Sequence, residues 1–243
     1  MKCLRLILPI AVLGLSIAAA PLPPQRKSAQ LSKVFEPSKD VTLVQSVAGD
    51  LGNSRGAIFV GRTGQPEANQ AKPQVSIRRG LLAFDVAGEI PRGSKIISVK
   101  LSLNMTLTPN ETLSARLRLH RVLQDWGEAD TKSGGVGATS VQGEATWLHR
   151  FDEKRKWSRP GGDYLAVASA VQPVTGVRSY TFGSNPRMVA DVQAWLDSPK
   201  RNFGWILLGN ETEGRSVKVF ASREDSDPQK RPQLSVTFRP PTR

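Results

Sequence analysis

IISVKLSLNMT, residues 96–106, decides the fold class, because apolar and polar side chains alternate along it. The two alternating sets are Ile97, Val99, Leu101, Leu103 and Met105, and Ser98, Lys100, Ser102, Asn104 and Thr106. Successive side chains of a strand point to opposite faces of its sheet. The repeat of two therefore predicts a β-strand with one face in the core.

Similar patterns lie on both sides of this stretch. Alternation continues over residues 114–122, 217–221 and 234–238, and shorter apolar runs predict strands over 41–47, 57–62 and 77–85. Only residues 187–197 have apolar side chains at helical spacing. Many short strands with one helix predict an all-β fold, an antiparallel two-sheet β-sandwich with one short helix. Residues 127–176 are rich in glycine, and we expect them to form long loops across one end.

The N-terminus has the three zones of a secretory signal peptide. Lys2 and Arg5 are followed by an apolar run over residues 6–15 and by small residues over 16–20. Spanning a bilayer takes about 20 apolar residues, so this run is short for an anchor. We predict a signal peptide over residues 1–19, cleaved near Ala18 or Ala19. The mature protein would be secreted, extracellular or periplasmic, with no membrane span; an uncleaved N-terminal anchor is the alternative.

Loss of this peptide would change the chemistry of the chain. Cys3 is the only cysteine, so the mature protein would have no disulfide, cysteine nucleophile or cysteine-bound zinc. The formal net charge would fall from +13 to +11. A basic protein outside the cell suggests an acidic polymer as its partner, and we expect a polysaccharide rather than nucleic acid. The alternative is that the charge serves only solubility.

Composition divides the remaining chain into three parts. Residues 20–39 are rich in proline, serine and lysine and predict a tether. Composition is steady over residues 40–239, which we interpret as one domain without internal repeats. Residues 240–243 would be a short tail.

An ordered set of short motifs runs through this domain. The set is Asp40, Asn53, Arg79-Gly80-Leu81-Leu82-Ala83-Phe84-Asp85, Ile90-Pro91-Arg92-Gly93, His120-Arg121-Val122, Trp126-Gly127-Glu128, Ala145-Thr146-Trp147, Gly204-Trp205-Ile206-Leu207-Leu208, Ser222-Arg223-Glu224 and Pro232-Gln233-Leu234. This order resembles the DNRLRE-type domain, also classed as carbohydrate-binding module family 96. The resemblance covers residues 40–238 and implies a secreted bacterial β-sandwich of jelly-roll type. It also implies binding of acidic polysaccharides such as alginate.

The strand patterns predict a cationic binding face. Lys100, Arg116, Arg118 and His120 lie opposite the apolar positions of their strands. If residues 96–106 and 114–122 pair across the turn at Pro109, these side chains share one sheet surface. Guanidinium groups bind carboxylates with two hydrogen bonds at once, which suits a polyuronate. The alternative is an ordinary solvated face.

A basic stretch with an embedded tryptophan is the second binding candidate. Lys154, Arg155 and Lys156 could contact acid groups while Trp157 stacks on a sugar ring. Alternatively, Trp157 pins the loop to the core and the charges face water.

Catalytic and metal-binding signals are weak. His120 and His149 are the only histidines, and neither belongs to a nucleophile or zinc motif, so no catalytic residue and no cofactor are predicted. Asp40, Asp50, Asn53 and Asp85 are oxygen donors for a structural Ca²⁺, although their spacing matches no calcium loop. We therefore expect a non-catalytic module that binds anionic, uronate-type polysaccharide. A structural or adhesive envelope protein is the alternative, and a polysaccharide lyase or hydrolase is a further one.

Overall fold

A computed structural model describes residues 29–46, 50–64 and 76–242 of the protein. The predicted signal peptide, residues 20–28 of the predicted tether and Val47 lie outside the described residues. No helix in the described parts of the chain is long and apolar enough to cross a membrane.

The described residues are mostly β-structure. In chain order the elements are β1 (Leu31–Phe35), β2 (Lys39–Val44), β3 (Leu51–Gly52), β4 (Ile58–Arg62), β5 (Ile77–Ala83), β6 (Lys95–Leu107), β7 (Ala115–Arg121), β8 (Ala138–Thr139), β9 (His149–Phe151), β10 (Arg155–Lys156), β11 (Ala170–Val174), β12 (Ser179–Gly183), α1 (Pro186–Asp197), β13 (Trp205–Leu208), β14 (Lys218–Phe220) and β15 (Gln233–Arg239). A short 3₁₀ helix over Pro199–Arg201 follows α1.

Eleven of these strands form one curled antiparallel sheet. Its order is β1-β15-β6-β14-β4-β5-β13-β7-β11, with β12 added on β6 and β2 on β5. The sheet folds into two layers, which β14 and β4 connect. The first layer contains β1, β15, β6 and β12, and the second contains β2, β5, β13, β7 and β11. The predicted all-β sandwich with one short helix is confirmed.

The predicted tether contains a strand. Leu31–Phe35 pairs antiparallel with β15, from Leu31 opposite Phe238 to Phe35 opposite Leu234. Phe35 is buried in the core. The prediction of a tether is therefore wrong for β1, whose single inward aromatic is too weak a pattern to recognise from sequence.

The predicted pairing of residues 96–106 with 114–122 is also wrong. β6 pairs with β15, β14 and β12, whereas β7 pairs with β11 and β13. The chain crosses from the first layer to the second between these strands, and Leu101 and Leu117 both belong to the core between the layers. Sequence proximity favours a hairpin of the two strands. Placing them in opposite layers instead buries the apolar face of each strand in the core between the layers.

A bulge changes which isoleucine of β6 faces inward. Thr237 of β15 pairs with Ser98 and Phe238 pairs with Ile96, so Ile97 is an extra residue on β6. Ile96 is buried and Ile97 is only half-buried. From Val99 onward the predicted alternation agrees with the burial.

The main core lies between the two layers and is closed by α1. Asn185 caps the helix through its side-chain oxygen, which accepts the N–H groups of Arg187 and Met188, and Pro186 follows the cap. The apolar face of the helix contributes Met188, Val192, Trp195 and Leu196 to this core. Trp195 packs edge-on against Trp205 of β13, with ring centroids 4.4 Å apart.

A second core lies on the outer face of the second layer. Ile206 and Leu208 of β13 point into it, while Trp205 and Leu207 point into the main core. The outer face is covered by residues 126–165, here called the covering segment, whose tryptophans fill the second core. The loops predicted to cross one end of the sandwich therefore cross a sheet face instead.

Lys218 stabilises the point where the chain changes layers. Its side chain is fully buried, and Nζ donates to Thr108 Oγ1 at 2.8 Å, Leu113 O at 2.8 Å and Thr175 O at 3.4 Å. No carboxylate among the described residues forms an ion pair with it, and burial lowers the pKa of this amine. Backbone carbonyls of the β6–β7 and β11–β12 connections thus solvate the ammonium group.

We expect Lys218→Met to destabilise the protein by about 3 kcal/mol, because several buried carbonyls would lose their donor. Urea unfolding measures the change. Lys100→Met is the matched control, since Lys100 is exposed on β6 and its loss should cost less than about 0.5 kcal/mol. Equal effects of the two substitutions would contradict this role for Lys218.

Candidate ligand-binding site

A cationic cleft of about 550 Å³ opens on the outer face of the second layer, beside the covering segment. Arg118 and His120 enter it from β7 and Arg79 from β5, while the covering segment contributes Arg159 and Tyr164. Arg118 and His120 share a face because they are two residues apart on one strand. The cleft therefore collects three guanidinium groups from three parts of the chain.

One of these guanidinium groups is already neutralised. Arg79 forms two hydrogen bonds with the carboxylate of Glu211, at 2.8 and 2.9 Å, and donates to Gly161 O at 2.7 Å. Its guanidinium carbon also lies 4.7 Å from the ring centre of Trp147. These contacts fix Arg79 as part of the cleft wall.

The other two guanidinium groups are free for a ligand. Arg118 and Arg159 are exposed, and neither side chain forms a hydrogen bond or ion pair with any described residue. Asp163 also lines the cleft, but its oxygens accept the N–H groups of Ser158 at 2.8 Å and Arg159 at 3.1 Å. That carboxylate therefore holds the turn carrying Arg159 and forms no ion pair with its guanidinium group.

His120 is a buried polar group in the wall of the cleft. It is only 5% exposed, and its Nδ1 lies 2.8 Å from Leu165 O, so Nδ1 carries the hydrogen and Nε2 is an acceptor. Burial, with contributions from Arg118 and Arg79, lowers the pKa of His120 and favours the neutral imidazole. Nε2 is buried without a hydrogen-bond partner, and the ring packs edge-on against Tyr164 at 5.1 Å.

The structure separates the side chains of the predicted cationic face. Arg118 and His120 line the cleft, and Arg116 lies next to them on the same face of β7. Lys100 lies in the first layer, opposite Ser235 and Gly183, because β6 and β7 do not pair. Lys100 is therefore not part of this surface, and that part of the prediction is wrong.

The second predicted patch lies on the β9–β10 hairpin and its turn. Lys154, Arg155 and Lys156 are exposed there, and none of them lines the cleft. Trp157 is buried in the second core, and its indole donates to Thr146 O at 3.0 Å. The prediction of Trp157 as a sugar-stacking residue is therefore wrong, and the alternative of a pinning residue is confirmed.

Sequence reasoning missed Arg79, Arg159 and Tyr164 as cleft residues. Of the three, only Arg79 has a signal in the sequence, because it lies in one of the motifs described above and faces outward on β5. Arg159 and Tyr164 lie in the covering segment, whose course over the sheet has no periodic pattern.

Three motifs that are far apart in the sequence meet in one ionic cluster. They contribute Asp40, Glu128, and the pair Arg223 and Glu224. Arg223 donates to both oxygens of Glu128, at 3.1 and 2.7 Å, and lies 2.9 Å from Glu224. Glu128 also accepts the backbone N–H of Asp40 at 2.8 Å, and Asp40 accepts the backbone N–H of Arg223 at 2.8 Å. The cluster thus ties β2 to the start of the covering segment and to the turn after β14.

Glu128 and Glu224 share the guanidinium group of Arg223, whereas the hydrogen bond of Asp40 is to the backbone N–H of Arg223. Burial, together with repulsion from Glu224 and Glu128, raises the pKa of Asp40 to about 8. Burial also raises the pKa of Glu128, although Arg223 opposes that rise. Arg223 already supplies the cation here, so the geometry indicates a structural clamp.

The four residues predicted to hold Ca²⁺ do not form one site. Asp40 belongs to the ionic cluster, and Asp50 lies beside His149. Asn53 accepts from Ser133 and Gly135, and Asp85 accepts the N–H of Gly88. The predicted set is wrong as a ligand group, because each member is used in a different part of the fold.

Comparisons with known proteins gave no family. No protein-family model matches the chain, and a search of curated proteins found no significant match. The resemblance to the DNRLRE-type domain stays a prediction from the motifs.

We expect the stability of the protein to fall as pH rises from about 4 to 8, through the contribution of Asp40. In the folded chain, Asp40 keeps its carboxyl proton up to about pH 8, whereas an unfolded Asp loses that proton near pH 3.9. The contribution is fully present below the unfolded pKa and is lost as pH approaches the folded pKa. Urea midpoints across this range measure it.

Asp40→Asn should flatten this pH dependence, because an amide oxygen can still accept the N–H of Arg223 and carries no charge. Asp130→Asn is the control, since Asp130 is exposed and forms only a surface ion pair with Arg55. An unchanged slope in Asp40→Asn would show that Asp40 does not hold the proton.

Proposed function

We propose that this protein binds an anionic, uronate-type polysaccharide in the cationic cleft. The single observation that carries the proposal is the pair of free guanidinium groups, Arg118 and Arg159, in one open cleft. Carboxylates accept paired hydrogen bonds from guanidinium groups, and these are among the stronger polar contacts in proteins. Arg116 extends the same positive charge along β7.

Tyr164 adds a different contact. Its uncharged phenol lines the cleft beside His120, and a phenolic hydroxyl can both donate and accept a hydrogen bond. A ligand with hydroxyl groups therefore suits the cleft better than a polyanion without them. Acid groups together with hydroxyl groups are the defining chemistry of uronate polymers.

Polysaccharide cleavage is a second candidate, since His120 and Tyr164 lie together in the cleft and could serve as base and acid in an elimination. The burial of His120 weighs against it. Nε2 has almost no accessible surface, and a general base must come within hydrogen-bond reach of the proton it removes. The arrangement therefore supports binding over elimination.

Affinity electrophoresis tests the binding proposal. The chain should be retarded in gels containing alginate or pectin and should move freely in gels containing a neutral glucan. Equal migration in all three gels would contradict the proposal. Appearance of unsaturated uronate ends during incubation would replace it with the lyase.

A double substitution tests the cleft itself. Arg118→Gln with Arg159→Gln should weaken binding by at least about tenfold, because each charge-assisted contact contributes more than 1 kcal/mol. Lys95→Gln with Lys100→Gln is the matched control, since it removes the same charge from exposed positions of β6 in the other layer. Equal losses in the two variants would mean that net charge, not the cleft, binds the polymer.

Binding should also weaken steeply as salt concentration rises. Charges exposed to solvent are screened over about 8 Å at physiological ionic strength. Titration of the polymer at increasing salt measures the dependence for the wild type and for both double variants. A wild-type affinity that does not respond to salt would contradict a contact made through Arg118 and Arg159.

A further inference from the structure

Three potential metal ligands converge outside the cleft, where the covering segment meets the residue before β3. Asp50, His149 and Asp152 place a carboxylate oxygen, an imidazole nitrogen and a second carboxylate oxygen within 4.8 Å of one another. His149 Nδ1 lies 2.6 Å from Asp50 Oδ2 and 3.5 Å from Asp152 Oδ1. None of these residues lines the cationic cleft.

The hydrogen bonds within this group leave one of its members poorly satisfied. Nδ1 of an imidazole carries at most one hydrogen, so it can donate well to only one of the two carboxylates. Asp50 is the closer acceptor. Asp152 Oδ1 therefore faces the nitrogen with only the backbone N–H of Glu153, at 3.0 Å, as its hydrogen-bond donor.

The charges of the group are also unbalanced. The side chains of Asp50, His149 and Asp152 are 16%, 16% and 10% exposed. No lysine or arginine among the described residues pairs with either carboxylate, although the chain has 34 such residues. Carboxylates withdrawn from water are normally paired with a cation or coordinate a metal ion. This charge distribution, independent of the distances, favours a cation as the ligand of the group.

The remaining carboxylate oxygens are held from outside the group. Asp50 Oδ1 accepts the hydroxyl of Thr146 at 2.6 Å and the N–H of Leu148 at 3.3 Å. Asp152 Oδ2 accepts the hydroxyl of Ser140 at 2.5 Å. Each carboxylate is thereby oriented with its other oxygen toward the imidazole. Metal ligands in proteins are commonly oriented by such outer hydrogen bonds.

We propose that Asp50, His149 and Asp152 bind a divalent transition-metal ion, for which Zn²⁺ is the probe. An imidazole nitrogen with two carboxylates suits Zn²⁺ better than Ca²⁺, which prefers six or more oxygen ligands. Donor atoms around tetrahedral zinc lie on the order of 3.3 Å apart. The two separations from His149 Nδ1, 2.6 and 3.5 Å, are close to that value. Binding replaces the hydrogen on Nδ1, releases it as a proton and leaves a fourth position for water.

The ionic cluster of Asp40, Glu128 and Glu224 shows why this inference applies to one group only. Its carboxylate oxygens are equally close together, but Arg223 already lies among them. A bound metal at Asp50 would instead connect the start of β3 to the β9–β10 hairpin. It would thus fasten this hairpin of the covering segment to the small two-stranded sheet of β3 and β8.

Isothermal titration with Zn²⁺ tests the proposal on the full chain without a histidine tag. We expect one equivalent to bind with a Kd of about 10 µM or tighter, a raised melting temperature, and no comparable binding of Ca²⁺. Co²⁺ should give the visible d–d absorption bands of a tetrahedral site. Absence of Zn²⁺ binding at concentrations up to about 100 µM would overturn the proposal.

Substitutions locate the site. His149→Gln should weaken Zn²⁺ binding by at least about tenfold and abolish the Co²⁺ bands, and Asp50→Asn should do the same if His149→Gln does not fold. His120→Gln is the matched control, because it removes the only other histidine and should leave Zn²⁺ binding unchanged. Binding that survives in a folded His149→Gln or Asp50→Asn variant would overturn the assignment. Binding of polysaccharide is not involved, so failure here leaves the cleft proposal intact.

Discussion

The central strands of the second layer are apolar on both faces, and the rest of the structure depends on this constraint. β5 and β13 send alternate side chains into two different cores, so a two-layer sandwich alone would leave one face in water. Burying such a face contributes roughly 25 cal/mol for each Å² removed from water. The covering segment provides that second cover, and Trp126, Trp147 and Trp157 supply most of its apolar bulk.

The covering segment has little regular structure, so polar contacts must fix its course. Buried carboxylates do this repeatedly. Glu144 accepts the hydroxyls of Ser54 and Thr131, and Asp163 holds the turn beside the cleft. Loops that cross a protein interior need such partners, because unpaired buried backbone groups are costly. The segment is therefore ordered by its acidic residues and anchored by its aromatic ones.

This use of acidic residues also shapes the surface. Five carboxylic acids are buried among the described residues, namely Asp40, Glu144, Asp152, Asp163 and Asp191, but only two strongly basic side chains, Arg78 and Lys218. The excess of positive charge therefore lies outside. Near Arg118 and Arg159 the covering segment no longer covers the sheet, and the exposed part of β7 forms one wall of the cationic cleft. Both proposed sites are thus products of how the cover meets the sheet.

The sequence by itself determined the elements and their inward faces. The alternation from Val99 to Met105 and the helical spacing before Pro199 describe local geometry, which depends on neighbouring residues alone. The sequence also placed Glu128 and Arg223 in two separate motifs, and it placed Arg118 and His120, which line the cleft, on one face of a strand. Only the tertiary structure decided that β6 and β7 lie in opposite layers, that Lys100 faces away from Arg118, and that Trp157 is buried. Those outcomes depend on which elements bury the apolar face of each strand. That arrangement is set by the exposed apolar surface of the whole fold, which neighbouring residues alone do not determine.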